Sequence, residues 1–101
     1  MAKAYLVGIY NKIIDQEKLE KYVVAALPAI MTNGGKRALA RSGNITQIEG
    51  IPPERAVIIE FESVQAAKDA YNSEDYQSAL LKLDGGADRF LFVIEGRESN
   101  I

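Results

Sequence analysis

Ala56-Val57-Ile58-Ile59-Glu60-Phe61 sets apolar side chains alternately on both faces of one extended segment, the pattern of a strand buried on two sides. Tyr5-Leu6-Val7-Gly8-Ile9-Tyr10 and Phe90-Leu91-Phe92-Val93-Ile94 do the same. Around these three runs the chain holds helical material for covering one face of a sheet only. That mismatch predicts a sheet whose second face is buried by another copy of the protein.

Outward from the central run, Ser63 can cap a helix reaching about residue 72, and Ser73 a short further helix carrying Tyr76, Leu80 and Leu83. Asp84-Gly85-Gly86 ends that helix, and residues 89–95 form the last strand. Upstream, residues 3–10 are the first strand. Asp15 then caps a helix in which Leu19, Tyr22, Val23, Ala26 and Leu27 recur at helical spacing, with Glu17 near its positive end. Pro28, which has no backbone donor, predicts a kink or a restart before Gly34-Gly35 stops the helix. A second strand covers residues 37–41, Gly43-Asn44 reads as a bulge or tight bend before an extension over 45–49, and Gly50-Ile51-Pro52-Pro53 makes the turn.

The order strand, helix, strand, strand, helix, strand is the split arrangement of an α+β ferredoxin-like domain with a four-stranded antiparallel sheet. Right-handed crossovers put both helices on the same face. The relative phase of the strands is not fixed by sequence, yet even the less apolar side of each strand presents Leu6, Tyr10, Ile58, Leu91 and Val93. Left in water, these would forfeit roughly 7 to 15 kcal/mol at ~1.5 to 3 kcal/mol per side chain, a sum that rivals the ~5 to 15 kcal/mol stability of a whole domain. A two-fold homodimer through the bare face follows as the expectation.

Composition narrows the setting. The chain has 101 residues, read as one domain over 1–96 with a polar tail over 97–101. Its 12 Lys and Arg against 14 Asp and Glu give a net charge of -2, without the basic surplus that nucleic acid requires. There is no cysteine for a disulfide, a thiolate nucleophile or a sulfur metal site. Met-Ala-Lys-Ala lacks an apolar signal core, and no apolar run approaches the ~20 residues that span a bilayer. The expectation is a cytoplasmic protein with no membrane or nucleic-acid partner. Asn44-Ile45-Thr46 fits the glycosylation triplet but reads as a polar turn.

Gly34-Gly35, Arg41, Glu49-Gly50, the stretch Pro53-Glu54-Arg55-Ala56-Val57-Ile58-Ile59-Glu60-Phe61-Glu62-Ser63, then Ala66-Ala67, Tyr71 and Ser73-Glu74-Asp75-Tyr76-Gln77 resemble an uncharacterised bacterial family, a domain of unknown function in the dimeric α/β-barrel superfamily. The resemblance runs from the first strand to Val93-Ile94-Glu95-Gly96. It implies two ferredoxin-like protomers with sheets face to face and no established activity. The wider superfamily includes cofactor-independent monooxygenases, lactone isomerases, haem-degrading enzymes, dye-peroxidase-like proteins and ligand domains of transcription regulators, so the fold alone does not assign a function.

With no histidine in the chain, the usual neutral-pH base and haem ligand is missing, and a serine nucleophile would lack its activator. Carboxylate, guanidinium and phenol remain. Glu60 ends an otherwise apolar strand, where desolvation disfavours the ionised form, as acid/base work requires. Arg41, on the neighbouring strand, can pair with Glu60 or grip an anion through its planar fork. A structural ion pair at the sheet end is the competing reading. Tyr10, Tyr22, Tyr71 and Tyr76 can line a cleft or simply pack in the core, and Tyr76 is the functional candidate among them. Both Gly-Gly pairs read as helix ends, and Lys18, Lys21 and Lys36 as a solvated face. The expectation is a homodimer binding a small, partly apolar organic molecule without a cofactor, as an isomerase, lyase or monooxygenase in which Glu60 is acid/base, Arg41 the anion anchor and Tyr76 a donor. A non-catalytic ligand-sensing or assembly module is the alternative.

Overall fold

In the computed structural model, which describes residues 2–97, β1 (Ala4–Ile13) leads into α1 (Gln16–Thr32), β2 (Arg37–Ser42), β3 (Arg55–Phe61), α2 (Val64–Tyr71), α3 (Glu74–Leu83) and β4 (Ala87–Glu95). The strands form one sheet in the order β2-β3-β1-β4, every neighbouring pair antiparallel. This is the ferredoxin-like fold, with its second helical segment divided into α2 and α3. From residue 98 on, the expected tail lies outside the described residues.

Local chemistry fixes the helix ends. The Asp15 carboxylate accepts from Lys18 N at 3.1 Å, Ser63 Oγ from Ala66 N at 3.0 Å and Ser73 Oγ from Tyr76 N at 3.2 Å. Each such cap contributes ~1 kcal/mol. The α3 helix stops where Asp84 and Gly85 turn left-handed, at φ 37° and 73°. Two expectations are corrected. The expected restart at Pro28 does not occur, and α1 runs unbroken through it. Pro28 and Val24, whose carbonyl loses its donor, lie on the exposed side of α1, where water replaces the missing bond. No strand forms over 45–49; residues 43–54 are an irregular connection, and the bulge sits inside β2, where Leu39 is inserted between Ala38 and Ala40.

Strand phase, open in the sequence, is now set. Leu6 and Tyr10 of β1, Ile59 and Phe61 of β3, and Leu91 and Val93 of β4 point toward the helices, packing with Leu19, Tyr22, Ile30, Tyr76 and Leu83. Alanines at 26, 67, 70 and 79 let the helices sit close. Of the five residues expected to be at risk on the bare face, only Ile58 lies there. The bare face instead carries Tyr5, Val7, Ile9, Ala56, Ile58, Phe90, Phe92 and Ile94, a more apolar set. Phe90, Phe92 and Ile94 are 63%, 46% and 54% exposed. No helix of the described residues is long and apolar enough to cross a membrane.

Candidate functional site

Three strands place Arg55, Tyr10 and Arg89 side by side, because Tyr10 of β1 is in register with Arg55 of β3 on one side and Arg89 of β4 on the other. All three project toward the helices. The next rung is Val57, Gly8 and Leu91, and the one beyond it holds Ile59 and Leu6. Gly8 has no side chain, so the floor is hollow there: a Cβ would sit 3.4 Å from Leu91 and 3.7 Å from the Tyr10 ring. Tyr22, Val23, Ala26, Leu27 and Ile30 of α1, with Tyr76 of α3, roof a cavity of about 50 Å³ over this floor. A water needs at least ~10 to 15 Å³ by the same measure, so the cavity admits more than a single water.

The polar end of the cavity is built on Arg89. Its Nη1 donates to Tyr10 Oη at 3.1 Å and Tyr22 Oη at 3.0 Å, and its Nη2 to Tyr76 Oη at 3.3 Å. The guanidinium also lies over the rings of Tyr22 and Tyr10, at 4.9 and 5.4 Å from their centroids. Tyr22 and Tyr76 share one further bond, 2.6 Å between hydroxyl oxygens. Proton counting follows. Three hydroxyls carry three protons, one of which is used between Tyr22 and Tyr76, while all three oxygens accept from Arg89. Two phenolic protons are left without an acceptor among the described residues.

Burial pushes the Tyr22 hydroxyl above its ordinary value, Tyr76 adds to the shift, and Arg89 opposes it. Tyr22 is therefore a neutral donor at physiological pH and no base. Desolvation works against the charge on Arg89, but the oxygens of Tyr22, Tyr76 and Tyr10 outweigh it, and its pKa lies above the usual arginine value. Among the described residues no carboxylate comes within ion-pair distance of Arg89, Arg55 or Arg41. The cavity is lined by three arginines, three tyrosines and apolar side chains, with no carboxylate. Such a set offers positive charge and hydroxyl groups but no negative group, which suits an anion. Among the described residues no group of three or more His, Cys, Asp or Glu is placed to hold a metal ion.

The sequence candidates are divided between the two faces. Tyr76 joins the Arg89 cluster, with Tyr10 and Tyr22, while Tyr71 packs against the Tyr76 ring at 5.2 Å. Arg41 is exposed at the cavity rim. Glu60 lies on the bare face, 7% exposed, beside Arg37 Nε at 3.5 Å and Lys3 Nζ at 3.7 Å. The expected pairing of Arg41 with Glu60 does not form, because Arg41 lies too far along the strand from Glu60 and, past the bulge at Leu39, on the other face. Arg37 is opposite Glu60, but beyond the inserted residue Arg41 comes opposite Val57, on the other face. Sequence reasoning missed Arg89 and Arg55. Their signal was a cation in phase with core-facing residues: Arg89 with Leu91 and Val93, Arg55 with Val57 and Ile59.

Comparison with solved structures supports the fold. A protein of unknown function from Rhodopseudomonas palustris superposes with a TM-score of 0.74 at 16% identity, over 97% of this chain and 85% of that one. A dimeric ferredoxin-like protein of unknown function from Thermobifida fusca gives 0.64 at 16% identity, over 93% and 91%. SnoaB, a cofactor-independent oxygenase from Streptomyces nogalater, gives 0.68 at 8% identity, over 99% and 98%. Among the curated proteins none matches. The family model described as Domain of unknown function (DUF1330) matches residues 3–97, and the chain belongs to that family.

Proposed function

We propose that this protein is a cytoplasmic homodimer, each protomer of which binds one small organic anion with a short apolar tail in the cleft between the sheet and α1. One observation carries the reading. Arg89 is held by three phenol hydroxyls and no carboxylate, beside two phenolic protons with no acceptor among the described residues. A half-buried cation in that setting is stabilised by an anion that also accepts those protons. The charged head of the ligand sits on Arg89, Tyr10, Tyr22 and Tyr76, Arg41 guards the rim, and a short apolar tail lies over Gly8.

Any chemistry here is electrophilic. The cavity stabilises negative charge on oxygen with preorganised donors and offers no proton acceptor other than phenol oxygens. A substrate arriving already ionised suits it, as in a cofactor-independent oxygenase or a lyase. An isomerase needing a resident base suits it less. The same lack of a base favours the second reading, a ligand-sensing module without catalysis.

Dimerisation rests on the bare face. Val7, Ile9, Ile58, Phe90, Phe92 and Ile94 are half-buried or exposed there. At ~1.5 to 3 kcal/mol for full burial, with roughly half still to be collected, they offer about 5 to 9 kcal/mol per protomer. Two protomers together can offset an association cost of ~4 to 15 kcal/mol. The fold is shared with a protein described as dimeric.

The test is a thermal-shift screen of short organic acids against short amines. Butanoate is expected to raise the melting temperature of the wild type and not that of Arg89→Met, since a ligand stabilises the state it binds. Equal stabilisation of both proteins, or a preference for amines, refutes the reading.

A further inference from the structure

Arg55 gives the same cavity a second anchor. Its Nε is fully buried and has no hydrogen-bond partner, an unusual state for a guanidinium donor away from water. Its guanidinium carbon lies 6.0 Å from the centroid of the Tyr10 ring, and that of Arg89 lies 5.4 Å from the same centroid. Arg55 and Arg89 also flank Tyr10 in register, on the same face of the sheet. Two cations therefore stand close to one ring, with one buried donor unused and no carboxylate among the cavity-lining residues.

We propose, resting on the anion-site reading above, that the ligand is a short branched dicarboxylate, with one carboxylate on Arg89 and its phenols and the other on Arg55. The spacing fits that class. The two guanidinium carbons are no more than about 11 Å apart by way of the ring centroid. A carboxyl carbon sits roughly 4 Å from the guanidinium carbon it bonds, so a diacid bridging the two cations has at most about 3 Å between its carboxyl carbons. That is the span of a malonate- or succinate-type diacid. Its two negative charges match the two cations. The branch, an alkyl group of two or three carbons, projects over Gly8 into the apolar part of the cavity, between Leu91 and Val57.

Butanoate and ethylmalonate test this directly, because they share one alkyl tail and differ by a single carboxylate. Calorimetric titration of the wild-type protein at neutral pH is expected to give ethylmalonate at least ten-fold the affinity of butanoate. In Arg55→Leu the two ligands become equal within about three-fold while butanoate affinity is kept. Arg55→Lys, which keeps the charge and loses the Nε donor, falls between them and guards against a misfolded leucine variant. Arg37→Leu, on the bare face, is expected to leave the ratio unchanged. The inference is overturned if ethylmalonate binds no tighter than butanoate to the wild type, if the preference survives Arg55→Leu, or if it collapses in Arg37→Leu as well. Butanoate binding that persists in those cases leaves the Arg89 reading in place, whereas loss of the inference together with that reading requires that neither acid binds, or that Arg89→Met binds both as the wild type does.

Discussion

Replacing Phe92 with aspartate should separate the protomers while leaving each one folded. Phe92 stands on the bare face of β4, opposite Val7, and is 46% exposed in the protomer. Of the ~1.5 to 3 kcal/mol that full burial of such a side chain contributes, about half has been collected on folding. The truncation therefore costs the fold about 1 kcal/mol and the interface about the same for each subunit. Two-fold symmetry counts the interface loss twice. The introduced carboxylate adds more, since taking an unpaired ion out of water costs several kcal/mol, again once per subunit. The total penalty on association is at least about 4 kcal/mol, or roughly a thousand-fold in Kd at 1.4 kcal/mol per decade. Sedimentation velocity at micromolar concentration reads the outcome, with far-ultraviolet circular dichroism to show that the variant remains folded. Wild type is expected as a dimer and Phe92→Asp as a folded monomer. A variant that stays dimeric would show that the bare face is not the interface.

Three further outcomes follow from the same geometry. Gly8→Val should fill the hollow floor and weaken butanoate binding at least ten-fold by titration, while urea unfolding shows unchanged or higher stability, because glycine inside a strand costs ~0.5 to 1 kcal/mol. Glu60→Gln should leave butanoate affinity within two-fold of wild type and change stability by less than about 1 kcal/mol, since its partners Arg37 and Lys3 are largely solvated; a ten-fold loss of affinity would return Glu60 to the site. Raising the pH should weaken the fold from about pH 10 upward. The Tyr22 hydroxyl keeps its proton in the folded protein beyond the point where the unfolded chain, with a pKa near 10, releases it. The native state then binds more protons than the unfolded one, and stability falls with a slope that climbs toward ~1.4 kcal/mol per pH unit, about 1.4 kcal/mol in all between pH 9 and 11 from this group. Denaturant unfolding between pH 9 and 11 measures that slope, which Tyr22→Phe should lack.

The fold was legible because its determinants are local or periodic. Three apolar runs, the caps at Asp15, Ser63 and Ser73, and the glycine stops each act over a few residues, and right-handed crossovers then leave one arrangement. The site was legible only in part. Tyr10, Tyr22 and Tyr76 could be seen as cleft-lining residues, but nothing in their spacing shows that they converge on one guanidinium. Arg89 stood at the end of the expected last strand, where a charge passes for a strand terminus, and only the extension of β4 back to Ala87 puts it inside the sheet. Arg41 and Glu60 show the other failure. A single inserted residue, Leu39, reverses the facing of everything after it in β2, and where a bulge falls depends on pairing between strands that are distant in sequence.

The central claim is that Arg89 is an anion anchor, and nitrogen-15 NMR of the arginine Nε–Hε groups during a butanoate titration tests it most directly. The Arg89 resonance, assigned by its loss in Arg89→Met, is expected to shift saturably with butanoate and to stay fixed with butylammonium. A titration that moves only the exposed Arg37 and Arg97 signals, or that moves Arg89 equally with the amine, would contradict the account.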